Sequence, residues 1–484
     1  MRPDGEFVLY WMIAFRRATW NFALDHAVDW AKNLKKPLMI LEALRCGYRW
    51  SSDRSHRFVL DGMADNARRF HDAGVLYYPY LEPTPDAGKG LVAALASRAC
   101  VVVTDDFPCF FLPRMVASAA RQSPVLMEAV DSNGMLPLRR AEQTYPTAVA
   151  FRRFLQKELP KHLFEFSKPD ALRNVRLHAI KPLPREITSR WPPAPIRDLN
   201  PTERALSGFA FNRGIPAVEI RGGSEAAHSL LRNFLRKKFS SYAEDKNKPG
   251  EDATSNLSPY LHFGHISVHQ IFSELTRQEK WSPSHLALRV TGSRSGWWGT
   301  SEAAEAFLDQ IITWRELGFN FCQTRKDYDQ FDSLPEWALK TLSKHAHDER
   351  THVYTLAQFE RAATHDPLWN AAQTQLLREG RIHTYLRMLW GKKILEWSRS
   401  PSKALEIMLE LNNKYAVDGR DPNSYSGIFW CLGRYDRPWG PERPIFGTVR
   451  YMSSENTARK FNVRNYIRNF SAEGNDGSFR PPPP

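Results

Sequence analysis

Residues 364–400 read THDPLWNAAQTQLLREGRIHTYLRMLWGKKILEWSRS, and residues 409–423 read LELNNKYAVDGRDPN. Asp366 is a good helix N-cap, Pro367 fits the first helical position, and Gly380 separates Leu376 and Leu377 from the run that begins at Arg381. Two helices are therefore predicted. In the second, Ile382, Tyr385, Leu386, Leu389, Trp390, Ile394 and Trp397 recur at three- and four-residue steps, while Arg381, Lys392, Lys393 and Glu396 fall mostly elsewhere on the wheel. Trp390 and Trp397 share one face, roughly 10.5 Å apart along the axis, and Trp369 on the preceding helix is placed to pack between them. Such a stripe is most often core. Its polar surroundings point to a ligand as well: Arg387 at the edge of the stripe, Asn412 and Asn413 after an apolar helix, then Asp418 and Asp421 in DGRDPN. Charges set among so many rings need partners, because an unpaired buried charge is costly. Arg387 and Asp418 are a candidate pair.

Rings are abundant throughout. The 484 residues include 15 Trp and 28 Phe, a supply for stacking on a planar ligand as well as for core. Lys and Arg number 67 against 53 Asp and Glu, a net charge of +14 with a pI near 9.5, which points to a polyanionic partner. The length exceeds what one core usually supports, so two domains are expected. Cys46, Cys100, Cys109, Cys322 and Cys431 are scattered, odd in number and without a C-x-x-C spacing, the pattern of reduced thiols in a cytoplasmic protein. The N-terminal MRPDGEFVLYWMIAF carries Asp4 and Glu6 and no small-residue cleavage site, so no signal peptide is expected. No apolar run approaches membrane-spanning length.

Taken in order, Phe7–Trp11, Leu38–Leu44, Val75–Tyr80, Cys100–Thr104 and Val125–Ala129 are short apolar runs separated by helical stretches such as Ser55–Ala73 and Pro113–Gln122. That alternation predicts a Rossmann-like α/β domain over 1–130, with a parallel sheet. No G-x-G-x-x-G follows the first strand and no G-x-x-x-x-G-K-[ST] occurs, which argues against NAD-type and triphosphate sites. Thr104, Asp105, Asp106 and Phe107 follow one strand and either line a ligand crevice at its carboxyl end or serve as caps and turns. Residues 131–215 are turn-rich, with KPLPR from Lys181 and WPPAPI from Trp191, and read as a connector with one basic helix around Phe151–Lys161. An all-α domain is expected over 216–470, and a disordered tail over 471–484.

Two further signals lie in the helical part. In DATSNLSPYLHFG (252–264), hydroxyl and amide residues precede a helix start at Ser258-Pro259, a pattern that binds phosphate or simply caps. His262, His265 and His269 follow at helical steps, but without an acid, a cysteine or an HExxH pattern they read as ordinary helix histidines, and no metal is expected. In EAFLDQIITWREL (305–317), Phe307, Ile311 and Trp314 continue to Phe321 as a stripe, and Gln310 lies one turn from Trp314.

HDPLWNAAQ (365–373), MLWGKKILEW (388–397), DGRDPN (418–423) and FGTVRYMS (446–453) resemble the DNA photolyase and cryptochrome flavoproteins, in detail the class II cyclobutane pyrimidine dimer photolyases. The resemblance runs from FVLYWM near the start to the neighbourhood of Phe470. It implies a light-driven flavoenzyme in which reduced FAD passes an electron to a flipped-out pyrimidine dimer in damaged DNA. Carried onto this chain, it implies that Thr254, Ser255, Asn256, Leu257 and Ser258 hold the FAD diphosphate and that Tyr242, Asp421, Arg387 and Asp418 contact the cofactor. It further implies that Asn412 sits beside the central flavin nitrogen, and that Trp390, Trp369 and Trp397, in that order, carry electrons to the surface. Trp314 and Trp430 match the rings that hold the lesion, and Arg450 lies among the DNA contacts. The N-terminal domain in this family houses an antenna chromophore such as a deazaflavin or a folate.

One position departs. The family's lesion-contacting glutamate is matched here by Gln310, which donates a hydrogen bond but transfers no proton, so slower repair per photon is expected. The alternative function is a cryptochrome-like blue-light receptor that binds FAD without efficient repair. The remaining expectations are an intracellular monomer whose partner is DNA containing pyrimidine dimers, with no membrane.

Overall fold

Five apolar runs form one parallel sheet: β1 (Phe7–Met12), β2 (Leu38–Leu44), β3 (Leu76–Leu81), β4 (Ala99–Asp105) and β5 (Met127–Val130), in the order β3-β2-β1-β4-β5. All five sit where the sequence puts strands, within two residues at their ends. β1 and β4 are buried from end to end, which is why FVLYWM and ACVVVTD are nearly continuous apolar runs rather than alternating ones. Leu9 pairs with Met39 on one side and Val102 on the other, so β1 is the middle of the sheet. The helices around it are α1 (Phe22–Leu34), α2 (Asp53–Asp72), α3 (Leu91–Ala96) and α4 (Leu112–Gln122). Local chemistry starts them: the Asn21 side chain accepts the backbone N–H groups of Ala23 and Leu24, and Ser52 and Ser55 cap α2 reciprocally.

The computed structural model describes residues 1–195, 199 and 214–471. The tail beyond Ser471, expected to be disordered, lies outside the described residues, as do 196–198 and 200–213 of the connector. No described helix is long and apolar enough to cross a membrane.

The chain divides into two compact units, 1–140, 159–232 and 256–280, and 141–158, 233–255 and 281–484; the described residues of the first contain the sheet, and those of the second are mainly helical. This interleaving differs from the division at 130 and 215, and buried polar groups explain it. In the sheet unit, His265 stacks on Phe58 at 5.2 Å and accepts the Gly223 N–H at 2.9 Å. A Cβ on Gly62 would stand 2.3 Å from His265 Nε2, so only glycine fits beneath that ring. Burial pulls His265 down to about 3, a neutral core histidine. In the helical unit, α5 (Ala148–Glu158) is held by Arg152, which bonds Asp309, and by Gln156, whose Oε1 accepts the N–H groups of Thr291 and Gly292.

The second helix of the deciding stretch begins at Thr384, not Arg381, and runs to Trp397. It is not amphipathic in the way its charges suggest. Lys392 and Lys393 are 0% and 5% exposed, so the helix is covered on the side that the sequence assigns to solvent.

Candidate active site

Asp366 caps the Pro367–Glu379 helix by accepting the N–H groups of Leu368 at 2.9 Å and Trp369 at 3.0 Å, and the Ser454 hydroxyl donates to its other oxygen. Gly380 ends that helix in the left-handed region, φ 68°, which a side chain resists. The cap fixes Trp369 against two indoles of the next helix. Trp369 and Trp390 lie with planes 4° apart and centroids at 6.4 Å, and Trp369 meets Trp397 edge-on at 6.1 Å. The Trp390 indole N–H donates to Gln373 Oε1 at 2.9 Å, and that of Trp369 to the Trp390 carbonyl at 3.0 Å.

Trp397 is not at the surface: it is 2% exposed. Tyr354 covers it, edge-on at 5.8 Å, and His365 lies 4.9 Å from the same indole. The Tyr354 hydroxyl and His365 Nδ1 are 2.7 Å apart. The ring series therefore reaches its half-buried end at Tyr354, which the sequence reading missed because TLAQF and its surroundings carry no stripe.

Arg387 and Asp418 do pair, Nη2 to Oδ1 at 3.3 Å, both side chains largely buried. Behind them Asn412 and Asn413 are 3% and 1% exposed. Asn413 Oδ1 accepts the Arg420 N–H at 3.0 Å, so the atom of Asn412 that faces it at 3.2 Å must be the donating Nδ2, which also reaches Ser424 Oγ at 2.9 Å. The Asn412 amide is thereby oriented, with Oδ1 left as the acceptor for an incoming N–H group. Asp421 is placed as the N-cap of the Pro422–Trp430 helix, its carboxylate accepting the Asn423 N–H at 2.8 Å.

Gln310 and Trp314 lie in a π-helical turn, Asp309–Trp314, between the Glu302–Leu308 and Arg315–Thr324 helices. They are the two half-buried positions of a turn that is otherwise buried. Such wide turns are rare and concentrate at functional sites. Trp430 is half-buried too, with Lys392 Nζ 5.0 Å and the Arg450 guanidinium 5.5 Å from its ring centroid. Arg450 is bonded to Asp436, Nε to Oδ2 at 3.0 Å, and also covers Trp439 at 3.9 Å.

Tyr242 and the 254–258 stretch are placed less simply. Tyr242 packs edge-on against Phe234 and Phe307, both at 5.4 Å, and burial raises its phenol. Thr254 and Ser255 belong to the helical unit, and Asn256, Leu257 and Ser258 to the sheet unit. The Ser258–His262 helix has five residues, too few to build much dipole at its N-terminus, and Asn256 adopts φ 56°.

At the carboxyl end of β4, Asp105 is spent internally: its carboxylate accepts the Tyr10 hydroxyl and the N–H groups of Ile13, Ala14 and Phe15, all within 2.9 Å. Asp105 therefore takes the structural role left open for it. Beyond the ends of β2 and β4 stands an aromatic group that sequence reading missed. Tyr48, Trp50, Phe110 and Phe111 touch one another, with Trp50 stacked on Phe110 at 6.1 Å and the Arg49 guanidinium 4.2 Å from Trp50. Trp50 and Phe110 have φ of 64° and 62°. Two aromatic residues in the left-handed region are costly, and such strain clusters at functional sites in proteins generally.

No family model matches the chain. Among curated proteins it is 35% identical over 473 residues to a deoxyribodipyrimidine photo-lyase of Methanothermobacter thermautotrophicus, covering 96% of this chain and 95% of that one. It is also 35% identical over 486 residues to the deoxyribodipyrimidine photo-lyase of Oryza sativa, covering 96% and 87%. Among solved structures, a bacterial class III photolyase from Agrobacterium tumefaciens superposes with a TM-score of 0.68 at 18% identity, over 96% of this chain and 86% of the other, a likeness of fold. On these relatives, the parallel sheet and the helical unit with its three indoles, the chain belongs to the DNA photolyase and cryptochrome family.

Proposed function

We propose that this chain splits cyclobutane pyrimidine dimers in ultraviolet-damaged DNA by light-driven electron transfer, in the manner of the class II enzymes. The flavin is read as FAD, held in the helical unit by Arg387, Asp418 and Asn412, with Thr254 and Ser255 of the same unit. When bound, FAD supplies the absorption of blue light and the electron that opens the cyclobutane ring. The chain fits it at Asn412, whose oriented amide offers an acceptor to a ring N–H.

The observation that carries this reading is the indole series. The N–H partners of Trp390 and Trp369 are an amide oxygen and a peptide carbonyl, neither of which is a base at neutral pH. An oxidised indole at either place keeps its proton, and the positive hole passes on through the parallel rings to Trp397. There a base is at hand: His365 takes the Tyr354 proton as Tyr354 returns an electron to Trp397. Trp314 and Trp430 are read as the rings that stack on the extruded lesion, where each base recovers roughly 1–3 kcal/mol of stacking. Gln310 donates its amide hydrogen to a lesion carbonyl.

An antenna pigment, a deazaflavin or a folate, is assigned to the aromatic rim Tyr48, Trp50, Phe110 and Phe111, on the support of its place beyond the strand ends and the strained backbone there. Gln310 favours a second reading, a blue-light receptor with weak repair. A duplex carrying one defined thymine dimer, followed under blue light and in darkness, separates the two. Light-dependent loss of the dimer is expected, and flavin photoreduction without dimer loss would favour the receptor.

A further inference from the structure

Lys392 is an amine in a place where amines are rarely found. It has no solvent exposure, its Nζ meets no hydrogen-bond partner among the described residues, and it lies 5.0 Å from the Trp430 ring centroid. Gly391 makes the approach possible: a Cβ there would stand 2.4 Å from Cys431 Sγ, so the Thr384–Trp397 helix meets the end of the Pro422–Trp430 helix with no side chain in between. Removing an ammonium from water costs far more than a cation over an indole gives back. A residue kept at such cost is a functional candidate.

The groups that act on Lys392 are Cys431, Asp436 and Arg450. Burial pulls Lys392 down to about 8, which leaves it mainly cationic at neutral pH, while burial pushes the Cys431 thiol up to about 11, so it carries no charge there. Arg450 faces the same ring but is bonded to Asp436. Of the two cations described at the Trp430 ring, Lys392 is thus the one that no bonded carboxylate compensates.

We propose that Lys392 is a positioning residue for dimer repair: its ammonium, held 5.0 Å from the Trp430 ring centroid, stabilises through the indole the negative charge that the dimer carries while it holds the transferred electron. This rests on the reading of Trp430 as a lesion-stacking ring. With a reduced flavin bound, the electron it would supply enters the dimer, two carbon–carbon bonds of the cyclobutane break, and that electron returns to the flavin, so the cycle has no net redox change. Lys392 gains and loses no proton in the cycle. Because the dimer is neutral when it binds and anionic only after electron transfer, the lysine acts on the repair step and hardly at all on affinity.

Lys392→Met removes the charge at similar length, and Lys392→Arg keeps it. On the flavin-loaded protein, the measurements are affinity for dimer-containing and undamaged duplex and dimers repaired per absorbed photon from pH 6.5 to about 10.4. In the wild type, repair per photon should fall as pH rises through about 8 with dimer affinity held. The Met variant should be lower on the order of tenfold at pH 7 and flat with pH, with unchanged flavin content and affinity. In the dark and without flavin, the near-ultraviolet band of Trp430, assigned by difference against Trp430→Phe, should shift with pH in the wild type and not in Lys392→Met. A Met variant with wild-type yield and pH profile would overturn the proposal, and so would losses of affinity and yield in equal measure, the mark of a packing role. If the Met variant does not fold, the wild-type profile and the Trp430 band decide, and the proposal is overturned if both stay flat up to the pH at which a lysine in water loses its proton, about 10.4. Trp430→Ala tests the reading beneath: retained preference for dimer DNA would remove Trp430 from the lesion site, separately from any result at Lys392.

Discussion

Arg152 and Asp309 are locked together, Nε donating to Oδ1 at 2.8 Å and Nη2 to Oδ2 at 3.4 Å, with both side chains about nine-tenths buried. Both oxygens of that carboxylate are taken up by the guanidinium. The acid beside Gln310 therefore does not replace the missing glutamate, and Gln310→Glu is expected to raise repair per photon on a defined thymine dimer while leaving affinity nearly unchanged. A fall in yield would mean that the pocket is built for an amide.

The same pair predicts a stability cost. Asp309→Asn leaves the Arg152 guanidinium buried without its counter-charge, and removing one partner of a buried pair typically costs about 3–5 kcal/mol. Chemical denaturation should show a loss toward the lower end of that range, since the amide oxygen still accepts a hydrogen bond. A loss below about 1 kcal/mol would show that water reaches Arg152 freely.

Trp369 touches both of the other indoles, so Trp369→Phe breaks the series in the middle while nearly preserving volume. Flavin photoreduction should slow by at least an order of magnitude, a rate readable as a barrier, with folding intact. Tyr354→Phe should leave the first transfers alone and shorten the lifetime of the separated charge. Photoreduction at wild-type rate in Trp369→Phe would remove the electron-route assignment.

The net charge of +14 and the cations of the 437–450 segment predict steeply salt-dependent binding to DNA. Counterion release makes log affinity fall linearly with log salt. A salt titration of duplex binding should give a negative slope of several units. A flat response would point to another partner.

His345 fastens that same segment. Its Nε2 meets Glu442 Oε1 at 2.8 Å and its Nδ1 meets Asp348 Oδ2 at 2.6 Å, while Asp348 also accepts the Ile445 N–H. Glu442 first, then Asp348, raises the histidine above its ordinary value. A raised folded value means that the stabilisation is complete below about 6.5, the unfolded value, and is lost as pH climbs through the folded one. The melting-temperature gap between wild type and His345→Gln should be wide near pH 6 and should close toward pH 8.5. A gap that stays constant would assign the histidine a packing role only.

Much of this could be read in the chain because the signals are local. Buried parallel strands announce themselves as apolar runs, Asp366 and Gly380 bracket a helix by their own chemistry, and indoles seven residues apart must share a face. What escaped reading is carried by pairs distant in sequence. Arg152 and Asp309 are 157 residues apart, and no local pattern marks either. Lys392 looks like a solvated charge on a helical wheel until the close approach at Gly391 buries it. The Tyr48, Trp50, Phe110 and Phe111 group is assembled by two strand ends that only the sheet order brings together.

The wide turn at Asp309–Trp314 holds one residue more than an ordinary helical turn, so it acts as a phase boundary within a continuous helix. Face assignments counted at 100° per residue from Phe307 no longer apply beyond it. Removing any one residue there would restore the ordinary pitch and swing one side of the helix by about 100° relative to the other. Sliding a sequence comparison by one place across this turn exchanges Asp309 for Gln310. Asp309 is paired with Arg152, while Gln310 shares the partly open side with Trp314, an arrangement that favours Gln310 as the residue facing a ligand.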